Sequence, residues 1–150
     1  MEAIIFCGIQ ASGKSTYYKQ HFFNTHVRIS MDLLRTRHRE WQFLELCLKT
    51  QMRFVVDNTN PTVAERLRYI APAKAARYAI SCYFFESGTQ EAIWRNNTRT
   101  GRHLVPEKGS YGTYKRLQAP TPAEGYDKLY RVSLQPSGIY LLDQLHGRQA

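Results

Sequence analysis

Residues 4–16 read Ile4-Ile5-Phe6-Cys7-Gly8-Ile9-Gln10-Ala11-Ser12-Gly13-Lys14-Ser15-Thr16. An apolar run that begins at Ala3 delivers the chain into Gly-x-x-x-x-Gly-Lys-Ser, the phosphate-binding loop, in the strand-then-loop setting that gives the pattern its meaning. The two glycines let the backbone curl so that successive N–H groups point at one anion. Lys14 brings a point charge to the β- and γ-phosphates, and the Ser15 hydroxyl suits Mg²⁺. A helix predicted from Ser15 to about Phe23 aims its positive dipole end at the same place. A chance glycine-rich turn would need neither the strand before nor the helix after. The stretch therefore predicts a bound nucleoside triphosphate, ATP or another, with Gly8, Ala11, Ser12, Gly13, Lys14, Ser15 and Thr16 as its candidate contacts.

Composition bounds the rest. The chain has 150 residues, enough for one domain with a real core, and its 43% hydrophobic and 22% charged fractions are those of an ordinary globule. Its charge is not ordinary: 21 Lys and Arg against 12 Asp and Glu leave +9. Such an excess favours an anionic partner beyond one nucleotide, nucleic acid first, although a solvated basic face would give the same number. Cys7, Cys47 and Cys82 each sit in an apolar run without metal-ligand spacing, so they read as core residues in a reducing compartment. Histidines 21, 26, 38, 103 and 146 form no metal pair. There is no signal-like leader and no run of membrane-spanning length, so the expectation is a cytoplasmic protein without a membrane partner. No repeat, low-complexity tract or domain boundary interrupts the chain, which predicts a single domain over 1–150.

Downstream of the loop, residues 26–30 read as a short strand, and Met31-Asp32-Leu33-Leu34-Arg35 follows its carboxyl end, where parallel α/β sheets gather their sites. Asp32 is a candidate general base and Arg35 a candidate anion contact. Taken alone, however, a helix-capping aspartate with a solvated arginine accounts for the pair better. Arg35, Arg37 and Arg39 are either nucleic-acid contacts or a solvated helix start. The helix after them carries Trp41, Leu44, Cys47 and Leu48 as a core stripe. Arg53-Phe-Val-Val-Asp57 is a strand ending in an acid placed to hold Mg²⁺. Asn58-Thr59-Asn60-Pro61 is turn chemistry, and Pro61 suits the first position of a helix predicted to about residue 76, with Val63, Leu67, Ile70 and Ala71 inward and an end near Pro72. Residues 78–85 form the most clearly buried strand, and the crossovers before it imply a parallel sheet with helices on both faces. Arg95, Arg99 and Arg102 are spaced to stack on one helical face, which is costly unless an anion lies between them. A lid over the triphosphate explains that spacing; a solvated basic helix is the alternative. A helix over 106–117, a Pro- and Gly-rich loop over 119–126, a strand over 129–134, an extended piece over 138–142 and frayed residues from 146 complete the chain.

Taken in order, these features resemble the kinase domain of the polynucleotide 5′-hydroxyl kinases. The resemblance rests on Gly8-x4-Gly13-Lys14-Ser15-Thr16, Asp32-x-x-Arg35, Asp57-Asn58-Thr59-Asn60-Pro61, Arg95-Asn-x-x-Arg99-x-Gly101 with Val105-Pro106, and Pro122-x-Glu124-Gly125-Tyr126-Asp127. It spans about residues 3–134. It implies an α/β P-loop kinase sandwich of three layers, with a mostly parallel sheet and an arginine-bearing lid. It also implies ATP or another NTP with Mg²⁺, and 5′-OH ends of DNA or RNA as acceptor. By the resemblance, Asp32 is the general base, which reverses the preference for a mere cap, and Arg35 contacts the acceptor-side or transferring phosphate. Arg99 is the lid arginine with Arg95 in support, and Lys14 completes the catalytic set with Ser15 and Asp57 toward the metal. The loop departs from the usual pattern, since relatives commonly place a proline or glycine inside it where this chain has Ile-Gln-Ala-Ser. Larger members of the family add phosphatase or ligase domains, so a chain of this length is expected to act alone or with separate partners of those kinds. Two other readings share the loop: a P-loop kinase for a small-molecule hydroxyl, and a nucleotide-binding module without transfer. The charge excess and the presence of both Asp32 and Arg99 argue against them.

Overall fold

The computed structural model describes residues 1–86 and 107–147, apart from the side chains of 107–111. Six strands form one sheet: β1 (Glu2–Cys7), β2 (Val27–Ile29), β3 (Phe54–Val56), β4 (Ala79–Phe85), β5 (Lys128–Leu134) and β6 (Tyr140–His146). Their order across the sheet is β2-β3-β1-β4-β5-β6, the first five parallel and β6 antiparallel to β5. The helices are α1 (Lys14–His21), α2 (Met31–Leu34), α3 (Arg37–Thr50), α4 (Val63–Ala75) and α5 (Glu107–Arg116), with a 3₁₀ turn at Pro122–Glu124.

β1 is central because it is apolar on both faces. Strand alternation sends Ile4 and Phe6 to one side and Ala3, Ile5 and Cys7 to the other, all within 1% of full burial. Ile4 and Phe6 pack with Tyr17 and Tyr18 of α1, Val55, Phe85 and Val132. Ala3, Ile5 and Cys7 pack with Leu44 and Cys47 of α3 and Tyr69, Ile70 and Ala73 of α4. Helices therefore cover both faces, as the crossovers required. The chain leaves β1 toward β3 and β2 and later returns past it to β4. Reversal beside β1 opens a crevice at the carboxyl ends of β1, β2 and β3, the usual ligand position in such sheets.

Several boundaries and faces differ from expectation. Pro61 precedes α4 rather than starting it: Thr62 is the cap, its Oγ1 accepting from Glu65 N at 3.2 Å while Glu65 Oε2 accepts from Thr62 N at 3.2 Å. The helix passes through Pro72 to Ala75. Its inner face is Arg66, Tyr69, Ile70 and Ala73, whereas Val63 and Leu67 are 40% and 50% exposed. Two polar groups occupy the buried stripe, which displaced the apparent apolar one. Trp41 stands outward on α3, 42% exposed, and Glu40 takes the inward place. His146 belongs to β6 rather than to a frayed end. All three cysteines are buried free thiols, as expected. Arg95, Arg99 and Arg102 lie outside the described residues, and the lid with them. Among the described residues no helix is long and apolar enough to cross a membrane.

Candidate active site

The loop closes on itself through Lys14, the first residue of α1. Its ammonium donates to Gly8 O at 2.8 Å, Ile9 O at 2.7 Å and Ser12 Oγ at 3.2 Å. Gly8 N is tied to Thr59 O at 2.9 Å. A Cβ at Gly8 would meet the Cβ and carbonyl of Phe85 and the Ser12 hydroxyl at 2.9 Å each, so only glycine brings the loop this close to β4. Gly13, at φ +95°, caps α1 in a left-handed turn, and the Tyr140 hydroxyl of β6 donates to its carbonyl at 2.9 Å. The cavity in front has a volume of about 280 Å³ and is lined by Gln10, Ala11, Ser12, Gly13, Lys14 and Ser15 from the loop, Met31 and Asp32 from α2, Arg37, and Asp57 to Thr59. Thr16 is exposed on α1 and does not line it.

Beside the loop, the Ser15 hydroxyl donates to Asp57 Oδ2 at 3.0 Å, and Arg28 Nε donates to the same oxygen at 2.9 Å. Arg28 Nη2 also donates to Ser15 Oγ at 3.2 Å. Asp57 is 4% exposed. Two hard oxygen donors at the mouth of a phosphate loop fit Mg²⁺, which takes few protein ligands and completes its shell with phosphate and water. Among the described residues no group of three or more His, Cys, Asp or Glu forms a protein-only metal cage. Arg28 gave no signal in the sequence beyond a basic residue in mid-strand.

Asp57 opens a run in which each residue ties down a different element. Asn58 Oδ1 accepts from Met31 N at 2.9 Å and so holds the start of α2, the turn that carries Asp32. The Ser30 hydroxyl caps the same turn, accepting from Asp32 N at 3.3 Å. Thr59 O holds Gly8, and Asn60, buried at φ +45°, donates from Nδ2 to Phe6 O at 2.8 Å. Asn58 is itself held by Glu40, whose carboxylate is 3% exposed and accepts from Asn58 Nδ2 at 2.9 Å, Arg37 Nη1 at 2.8 Å and the Tyr69 hydroxyl at 3.1 Å. Burial, reinforced by Glu40, pushes the Tyr69 hydroxyl up and keeps it a donor. For Arg37, burial opposes the charge, but its bond to Glu40 outweighs that and the guanidinium is held more firmly protonated. Arg35, in contrast, ends α2 at φ +75°, is exposed, and lies off the cavity lining; Arg37 lines it two residues later.

Arg37 also borders a second cavity of about 390 Å³, lined by Glu40, Trp41, Leu44, Arg68 and Tyr69. One guanidinium thus borders both the phosphate-loop cavity, which Asp32 also lines, and a groove offering an exposed indole and a second arginine. Such a groove suits an aromatic, phosphate-bearing ligand.

Residues 4–120 match the family described as AAA domain. A bifunctional polynucleotide phosphatase/kinase of Schizosaccharomyces pombe is 29% identical over 135 residues, covering 87% of this chain and 33% of that protein. A protein of Acanthamoeba polyphaga mimivirus, whose name carries the same two activities, is 30% identical over 139 residues, covering 88% of this chain and 33% of its own. The chain spans about a third of the length of these curated relatives. In fold, a gluconokinase from Sinorhizobium meliloti 1021 aligns with a TM-score of 0.65, over 90% of this chain and 84% of that one, at 19% identity. The architecture is that of the P-loop kinases.

Proposed function

The chain belongs to the AAA domain family, and on that footing we propose that it transfers the γ-phosphate of ATP to the 5′-hydroxyl end of a polynucleotide. The observation that carries this reading is Arg37, shared between the nucleotide cavity and the groove of Trp41 and Arg68. A polynucleotide end needs a base platform and phosphate contacts beyond the reacting hydroxyl, whereas a small neutral acceptor needs neither. The names of the two curated relatives support the same choice.

In this reading, Lys14 exchanges its loop carbonyls for phosphate oxygens and, with the amino end of α1, neutralises the transferring group. Ser15 and Asp57 would hold Mg²⁺. That ion, when bound, offsets charge on the β- and γ-oxygens. Asp32 accepts the proton of the attacking hydroxyl as its oxygen bonds to the γ-phosphorus and ADP leaves. Asn58 and Ser30 keep the Asp32 turn in place through the opening residues of α2. Arg37 and Arg68 hold the acceptor, with the base against Trp41. Arg99, supported by Arg95, would supply the lid charge on the triphosphate, while Arg37 takes the anion-contact place that Arg35, off the cavity lining, does not reach.

Arg68→Ala tests the acceptor assignment. Its guanidinium is exposed, so removal should leave folding and ATP affinity unchanged while KM for an oligonucleotide rises about tenfold, as expected for one lost phosphate contact. Steady-state kinetics with varied acceptor read the change. An unaltered oligonucleotide KM would remove the groove from the reaction.

A further inference from the structure

Among the described residues, Arg28 is a cation held against Ser15 and Asp57 for which the transfer chemistry has no use. It lies in the middle of β2, and its guanidinium spans the whole metal-binding pair: Nε to Asp57 Oδ2 at 2.9 Å and Nη2 to Ser15 Oγ at 3.2 Å. The Ser15 hydroxyl points at that same carboxylate oxygen, 3.0 Å away. The position is built rather than incidental. The Arg28 side chain is only 26% exposed, Asp57 only 2%, and the guanidinium carbon stands 6.0 Å from the centre of the Tyr18 ring. Two hydrogen bonds and a ring thus fix one positive charge on the two oxygens that a divalent ion would need.

A guanidinium and a divalent ion cannot both take Asp57 Oδ2 at close range without strong repulsion, because charges a few ångströms apart near a protein surface still interact by several kT. A nucleotide changes the balance. Its phosphates bring several negative charges to the mouth of the loop, which attract the metal and offer Arg28 another partner of the bidentate kind that arginine favours. We propose that Arg28 is a resident counter-cation that competes with the divalent ion for Ser15 and Asp57, so that metal enters only together with nucleotide, and Arg28 then turns to the phosphates. Arg28 is a positioning residue in this scheme: it holds the ligand pair ready and sets the order of entry. The inference rests on Ser15 and Asp57 being the metal ligands of the proposed kinase.

Binding of Mn²⁺, read by the electron paramagnetic resonance of the free ion, tests this without turnover. Nucleotide-free wild-type protein should bind Mn²⁺ weakly. Arg28→Gln should bind it about tenfold more tightly or better, because the competing charge is gone. Arg28→Lys keeps a charge and should stay weak. Equal Mn²⁺ affinity in wild type and Arg28→Gln overturns the proposal, provided Asp57→Asn weakens binding of Mn²⁺ with ADP. If Asp57→Asn binds Mn²⁺ with ADP as well as wild type does, the metal assignment itself falls. The wild-type protein gives an independent reading in case a variant fails to fold. The Arg28 Nε–H resonance should move on addition of Mg²⁺ with ADP and hold still with Mg²⁺ alone. A resonance that ignores both additions means that Arg28 never leaves the pair, and the proposal fails.

Discussion

Asp32 reaches the crevice through backbone it does not own. Asn58 accepts from Met31 N and Ser30 Oγ from Asp32 N, so the turn that carries the carboxylate is fixed at its amino end by its own cap and by the segment after β3. Its replacement by Asn keeps the shape and removes the proton acceptor. Asp32→Asn should lower phosphate transfer by about 10²–10⁴ with ATP affinity unchanged, compared by initial rates and a nucleotide titration; a matching loss of both would make the residue structural. Cys7 gives a pH prediction at the same scale. Burial, only partly offset by Arg66 and Lys14, pushes its thiol up to about 11 from an ordinary 9.0. The folded state thus holds this proton more tightly than the unfolded chain does. Its contribution to stability is complete below pH 9 and is lost as pH rises toward 11. Urea unfolding at pH 7.5 and pH 10 should show the fall, and Cys7→Ala should make it shallower without abolishing it, because burial also pushes up the Cys47 and Cys82 thiols. A wild-type stability that does not change between the two values would contradict the burial.

Between elements, the decisive contact is Arg66 of α4 with Glu124 before β5. Arg66 is 0% exposed; its Nε donates to Glu124 Oε1 at 2.8 Å and its Nη2 to Oε2 at 3.2 Å, while Nη1 reaches Asn60 O at 2.8 Å. This fork ties the end of the Asp57–Asn60 run, through α4, to the turn before β5. Glu124→Ala leaves a buried guanidinium without its carboxylate and should cost about 3–5 kcal/mol, seen as a lower urea midpoint with an unchanged slope; a loss below 1 kcal/mol would mean that solvent or Tyr126 replaces the carboxylate. The same contact shows why some elements were legible in the sequence and others were not. β1, β3 and β4 declared themselves because their side chains are apolar on both faces, and the loop because its glycines and lysine have one known use. Arg66 and Tyr69 look like surface residues, so the inner face of α4 was read around Val63 and Leu67 instead. Glu40 is hidden in a run of charges at the start of α3, and the sequence leaves Arg37 beside it open between a nucleic-acid contact and a solvated helix start, with nothing to set it above Arg35 or Arg39. Arg28 was invisible because its partner Asp57 is 29 residues away. Local periodicity reports apolar burial; it does not report a polar side chain buried by a distant partner.

At the scale of the whole molecule, sheet topology brings the loop after β1, the α2 turn after β2 and the acid after β3 to one edge, and α3 and α4 frame the groove beside it. The sequence carries a net charge of +9, far more than one nucleotide calls for, and a polynucleotide acceptor would make use of it. The direct test offers γ-labelled ATP and Mg²⁺ to the protein together with equal concentrations of a 5′-hydroxyl oligonucleotide and a panel of small hydroxyl compounds, gluconate among them. Label should appear on the 5′ end of the oligonucleotide, vanish with Asp32→Asn, and decline as salt rises. Label on a small compound alone, or on nothing while ATP stays bound, would contradict the account.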